Sequence, residues 1–184
     1  MLSFDSEILY TKEGIIMHTF QPYPINSVEF NPFAQIGQCW AMITVGNKLQ
    51  ANCTTVSWGG VGVMWSKNVA FLFLQDSRYT KELIDENEFL SISFLSEQYK
   101  NAMKYCGSAS GRNEDKFKNA GFTLAFRHSI PYIDEGNCVL LCKKLSATPI
   151  SHESLLDPSL KEKWYSNGDY HTMYIVEIIE AMAR

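Results

Sequence analysis

From residue 38 to residue 57 the chain alternates as a β-hairpin does and a helix does not. Cys39, Ala41, Ile43 and Val45 fall on one face, and Trp40, Met42 and Thr44 on the other. Gly46-Asn47 supplies turn chemistry, and residues 49–57 read as the returning strand. Strand patterns then recur. Residues 69–74 (VAFLFL) predict a strand buried on both faces. Residues 89–95 predict a half-buried one, with Leu90, Ile92 and Phe94 alternating with Ser91 and Ser93. Residues 122–126, 138–145 and 173–179 complete about seven strands.

Short helices interrupt this series. One follows Ser77, with Tyr79, Leu83 and Ile84 as its apolar side. In the next, Tyr99, Ala102, Met103 and Cys106 fall at helical spacing, and Gly107 is placed to end it. A third covers residues 114–119 and stops at Gly121, and a fourth opens at Asp157-Pro158, an acidic cap followed by proline. Regular βαβ alternation is missing, which excludes a doubly wound parallel sheet. The expected architecture is mainly β: a closed or nearly closed antiparallel barrel with inserted helices.

With 184 residues, 46% of them hydrophobic and 13% aromatic, the chain can fill one well-packed core. Residues 1–30, irregular and holding Pro22 and Pro24, read as an arm packing on a single domain, 31–184. The net charge of −4 gives no basic field for nucleic acid. Apolar runs are strand-sized, too short to cross a membrane, and the N-terminus has no signal-peptide pattern, so the expected compartment is the cytoplasm. The five cysteines, Cys39, Cys53, Cys106, Cys138 and Cys142, lack paired metal spacing and read as free thiols. Cys138 and Cys142 would sit roughly 13 Å apart along one strand face. The four histidines are too scattered for a metal site.

Three segments gather groups suited to anions and flat heterocycles. Asn52, Thr54, Thr55 and Ser57 offer donors and acceptors at a strand end, and Trp58 offers an aromatic surface before a turn at Gly59-Gly60. Ser77-Arg78-Tyr79-Thr80 opens a helix, where backbone N–H groups, a guanidinium and hydroxyls suit a phosphate. Ser110, Gly111, Arg112 and Lys116 add a hydroxyl, flexible backbone and two cations. Each has a plainer reading: a polar edge strand, N-capping by Ser77, and a mixed-charge surface loop. No Walker or G-x-G-x-x-G fingerprint competes for the role.

In this order, and with Tyr105-Cys106-Gly107, Asp115-Lys116 and Asp169-Tyr170-His171, these segments resemble the flavin reductase-like proteins of the FMN-binding split-barrel fold, particularly the flavoredoxin branch. The resemblance runs from about residue 31 to residue 179. It departs from the family pattern at Asn113, where an acid usually follows the arginine, and at Cys53, where a larger apolar side chain is common. It implies a six-stranded antiparallel Greek-key split barrel, a homodimer, and FMN near the subunit interface. By the same resemblance, Asn52, Thr54, Thr55, Ser57 and Trp58 line the isoalloxazine and ribityl chain. Ser77, Arg78, Thr80, Ser110, Gly111, Arg112 and Lys116 then gather at the phosphate. Electrons would pass from NADH or NADPH through the flavin to an unidentified acceptor. His171 either faces the ring as a candidate catalytic residue or holds the last strand in place. Three alternatives stay open: a non-catalytic flavin carrier, a pyridoxamine-phosphate-oxidase-like enzyme, and a barrel for another phosphorylated ligand.

Overall fold

Ten strands and four α-helices occupy the described residues, 19–29 and 31–184, of the computed structural model. Most of the expected arm, residues 1–18 and Phe30, lies outside them. In chain order the strands are β1 (Gln21–Tyr23), β2 (Ala41–Gly46), β3 (Ala51–Val56), β4 (Gly59–Met64) and β5 (Lys67–Gln75). Helix α1 (Tyr79–Glu86) leads to β6 (Phe89–Phe94), then to α2 (Lys100–Ser108) and α3 (Lys116–Ala120). The chain closes with β7 (Leu124–Arg127), β8 (Ile130–Ile133), β9 (Cys138–Pro149), α4 (Pro158–Trp164) and β10 (His171–Ala183).

The main sheet is antiparallel, in the order β3-β2-β6-β9-β10-β5-β4, and β1 pairs with the far end of β10. The six strands from β3 to β5 curl until those two approach each other, which makes the split barrel. β4 extends the sheet at one edge, and β7 and β8 form a separate hairpin laid against the barrel. The three strands beyond the expected seven are β1, β4 and β8.

The β2–β3 hairpin forms as its alternation predicts. Gly46 adopts φ +121°, where a Cβ would lie 2.1 Å from the Gln50 carbonyl oxygen, and the Asn47 side chain accepts the N–H groups of Leu49 and Gln50. All six β2 residues are buried because both faces are covered. Ile43 and Val45 join the barrel core, whereas Met42 joins a second cluster with Cys53, Met103, Cys106 and Phe117 beneath α2 and α3. The same layering corrects the reading of β6. Ser91 and Ser93 are fully buried, and the Ser91 hydroxyl donates to the Pro131 carbonyl at 2.6 Å.

Three further expectations change. The glycine run at 59–62 is strand rather than turn, with Gly59 opposite Leu72 and Gly60 opposite Phe71 in β5. A Cβ on Gly59 would stand 2.6 Å from the Phe71 carbonyl oxygen, so close backbone approach explains that glycine. β5 is not buried on both faces: Val69, Ala70, Leu72 and Leu74 are buried, but Phe71 and Phe73 are only half-buried. Gly107 does not end α2, which runs on to Ser108. Gly121, by contrast, ends α3 at φ +71°, and Asp157 caps α4 by accepting the Ser159 N–H. The five cysteines are free.

Candidate functional site

β3 carries the first motif into a junction of helix ends. Asn52 is buried, its Nδ2 donates to the Thr80 hydroxyl at 2.9 Å, and its Oδ1 lies where a Cβ on Gly111 would come within 2.2 Å. Only glycine at 111 lets the loop after α2 close over this amide. On the opposite face of β3 the Thr55 hydroxyl donates to the Met103 carbonyl at 2.5 Å. A Cβ on Gly107 would lie 3.3 Å from Thr55 Cβ, so the last turn of α2 sits tightly on the strand. Thr54 is buried and Ser57 exposed. Segments tens of residues apart therefore converge on Asn52.

The cations of the second and third motifs meet here with little compensation. Arg78, half-buried at the mouth of α1, donates from Nη1 to the Gly107 carbonyl at 2.6 Å and from Nε to Gln75 Oε1 at 3.3 Å. The Lys116 ammonium is buried and donates to the Cys53 carbonyl at 2.7 Å. Burial holds Lys116 below its ordinary lysine value, and the Arg78 charge pushes the same way. Arg112 pairs with Glu82, lies over the Tyr79 ring and reaches the Ser77 carbonyl at 3.5 Å. Among the described residues, neither Arg78 nor Lys116 has a carboxylate within ion-pair distance.

Two serines behave differently from a simple cradle. Ser77 does not cap α1; Arg78 occupies the cap position. Instead the Ser77 hydroxyl and N–H both donate to the Asp169 carboxylate, at 2.7 and 3.1 Å. The Ser110 hydroxyl accepts the Arg112 N–H at 3.4 Å.

Beyond Ser57 the site becomes aromatic. The Trp58 ring lies 4.7 Å from His171 and 5.0 Å from Trp164, the latter edge-on. Tyr165 stacks on Tyr170 and contacts His171. His171 Nδ1 is buried without a hydrogen-bond partner. Burial lowers the His171 pKa, against the pull of Asp169 and Asp76, which favours the neutral imidazole.

On the outer side an open groove of about 460 Å³ runs past Asn52, Tyr79, Gly111, Arg112 and Lys116 to Lys48 and Gln50. Sequence reasoning missed Trp164, Asp169 and the Gly107 carbonyl as parts of this region. Asp169 stood inside a quoted motif, but neither Trp164 nor a backbone carbonyl carries a local signal. Among the described residues no cluster of His, Cys, Asp and Glu could hold a metal, and no helix is long and apolar enough to cross a membrane.

The fold has relatives among solved structures. Flavoredoxin from Methanosarcina acetivorans shares 22% identity at TM-score 0.61, over 79% of this chain and 68% of that one. An FMN-binding domain of a flavin reductase-like enzyme from Shewanella baltica shares 14% at TM-score 0.66, over 92% and 79%. An NADH:FAD oxidoreductase from Streptomyces globisporus shares 16% at TM-score 0.59, over 79% and 74%. No curated protein matches the sequence. The family model for the flavin reductase-like domain matches residues 34–184, the whole barrel with its helices and the junction around Asn52, and the chain belongs to that family.

Proposed function

We propose that the chain binds FMN at this junction and moves electrons from a reduced nicotinamide through the flavin to a second acceptor. The observation that carries the reading is the pair of cations, Arg78 and Lys116, which among the described residues donate to carbonyl oxygens and form no ion pair. Taking such charges out of water costs energy that a phosphate would offset. Arg78, Ser110, the Gly111 backbone and Arg112 would contact that phosphate, with Ser77 alongside under the hold of Asp169. Thr80 and Lys116 are buried and already bonded, so they act from behind: Thr80 by orienting Asn52, Lys116 by its field. Asn52, Thr54, Ser57 and Trp58 would border the ribityl chain and ring, whereas Thr55, on the other face of β3 and bonded to Met103, would hold α2 against the strand.

The flavin, when bound, supplies hydride acceptance and electron transfer. The residues supply His171 with its neutral form favoured, an aromatic wall at Trp58 and Trp164, and fixed charge at the phosphate end. The solved relatives described as FMN-binding and as an NADH:FAD oxidoreductase support a flavin and a nicotinamide donor. The same reading takes 31–184 as one domain with 1–30 as its arm, in a cytoplasmic homodimer. Free thiols support the compartment, and half-buried Phe71 and Phe73, on the face of β5 opposite to core residues Ala70, Leu72 and Leu74, support a second copy.

The test is the visible spectrum of the protein after FMN addition and desalting, then after anaerobic NADH and NADPH. Retained flavin that bleaches is the expected result. Retained flavin that stays oxidised would make the protein a carrier reduced by another protein. Absence of binding even by titration would remove the flavin reading.

A further inference from the structure

We propose that Cys53 and Cys106 form a reactive dithiol, which hydrogen peroxide closes into a disulfide between β3 and α2, and that this bond loosens the anion junction beside it. The dithiol stands on its own geometry; only its effect on ligand affinity rests on the flavin reading.

Alternation along β3 turns Cys53 and Thr55 to one face, the face that α2 covers. Both cysteines are fully buried there, in the cluster with Met42 and Met103. Strand and helix are held in a fixed register. The Thr55 hydroxyl donates to the Met103 carbonyl at 2.5 Å, and a Cβ on Gly107 would lie 3.3 Å from Thr55 Cβ. In that register the Cys53 thiol donates a hydrogen bond to the Cys106 sulfur.

One cation serves the pair. Lys116 Nζ donates to the Cys53 carbonyl at 2.7 Å, and the Lys116 carbonyl oxygen lies 4.0 Å from Cys106 Sγ. The hydrogen bond from Cys53, and then the Lys116 charge, hold the Cys106 thiol below its ordinary value against the effect of burial, whereas the Cys53 thiol is raised. Cys138 and Cys142 are shifted by burial alone and only upward, Cys138 to about 11. Cys106 is therefore the nucleophile and Cys53 the thiol that resolves it.

Cys106 also stands where an oxidant can reach it. It lies in the last turn of α2, followed by half-exposed Gly107 and exposed Ser108, so opening of one terminal turn uncovers it while Cys53 stays in the strand. The Cys106 thiolate attacks one peroxide oxygen, the O–O bond breaks, and hydroxide leaves and takes up the proton that Cys106 gave up. The Cys53 sulfur then attacks the sulfur of the sulfenic acid, the S–O bond breaks, and a second water leaves with the Cys53 proton. Two thiols are oxidised and one peroxide is reduced to two waters.

The new bond draws the end of α2 toward β3 where Gly107 already sits against Thr55. The Gly107 carbonyl, which accepts from Arg78 Nη1 at 2.6 Å, moves with it, and so does the guanidinium that faces the phosphate position.

The experiment treats the flavin-free full chain with hydrogen peroxide, alkylates the remaining thiols and maps the peptides by mass spectrometry without reductant. A Cys39→Ser variant, which removes an exposed thiol far from the pair in sequence, is treated alongside. The expected result in both chains is a loss of two hydrogens and one cross-linked peptide pair joining Cys53 to Cys106, reversed by a dithiol reductant. The oxidised chain is expected to bind FMN roughly fivefold or more weakly than the reduced chain. Five unmodified thiols, a sulfinic acid at Cys106 without a cross-link, a disulfide to Cys39, or a cross-link with unchanged FMN affinity would each overturn the inference while leaving the flavin reading standing. If the reduced chain binds no FMN, the flavin reading falls, and the cross-link mapped on the flavin-free chain still decides the dithiol.

Discussion

Arg78 and Gly107, 29 residues apart, are joined by a 2.6 Å hydrogen bond from the guanidinium to the backbone carbonyl. The bond fixes the mouth of α1 to the last turn of α2, and among the described residues no carboxylate pairs with the guanidinium. On the proposed function, stability and phosphate affinity would therefore meet in one side chain. Arg78→Ala is expected to weaken FMN roughly 10- to 100-fold, from the loss of one charge-assisted contact, and riboflavin little. Titration of both ligands checks it. Equal losses would mean that the bond to Gly107 matters and the charge does not.

Gly111→Ala places a methyl against Asn52, whose Oδ1 would stand 2.2 Å from the new Cβ. Either the loop after α2 lifts or Asn52 leaves Thr80, whose hydroxyl is then buried unpaired. The expected cost is about 1–3 kcal/mol in chemical denaturation, with weaker FMN binding. Unchanged stability would show that the loop does not close over Asn52 in solution.

Two neighbouring glycines in β4 give opposite expectations. Gly59→Ala drives a Cβ to 2.6 Å from the Phe71 carbonyl, whereas the nearest atom to a Cβ on Gly60 is Phe71 Cδ2 at 4.0 Å. Gly59→Ala is expected to lower stability by about 1–3 kcal/mol, and Gly60→Ala by less than about 1 kcal/mol. Equal melting temperatures for the two variants would contradict the β4–β5 register.

His171 sets a pH dependence. Its folded pKa lies below the ordinary 6.5 because burial disfavours the charged ring. As pH falls below 6.5 the unfolded chain takes up the proton first, so stability drops and then levels below the folded value. Melting followed from about pH 7.5 down to about pH 5 is expected to fall less steeply in His171→Gln than in the wild type. The same variant separates two roles. A changed hydride-transfer rate at constant FMN affinity places the imidazole at the ring, and unchanged rates leave it structural.

Seven of the ten strands and the four helices were readable because each rests on local periodicity or capping. The β2–β3 hairpin, α2 and the capped starts and stops at Gly121 and Asp157 needed only neighbours within a few residues. β8 was missed because Ile130-Pro131-Tyr132-Ile133 shows no alternation, and β4 because glycines at 59, 60 and 62 read as turn chemistry until β5 is laid beside them. Ser91 and Ser93 misled for a related reason. Their hydroxyls look like a solvent face, but the β7–β8 hairpin covers them and Pro131 accepts the bond from Ser91.

By itself the sequence determined which residues share a strand face and the family whose motifs they spell. Tertiary structure alone decided what each of those residues has left to offer. Thr80 is spent on Asn52, Ser77 on Asp169 and Lys116 on the Cys53 carbonyl, while Arg78 has no ion pair among the described residues. The physical reason is range. Periodicity follows from bonds between near neighbours, whereas the partner of a buried donor is set by packing elements that stand 28 to 92 positions apart in the chain.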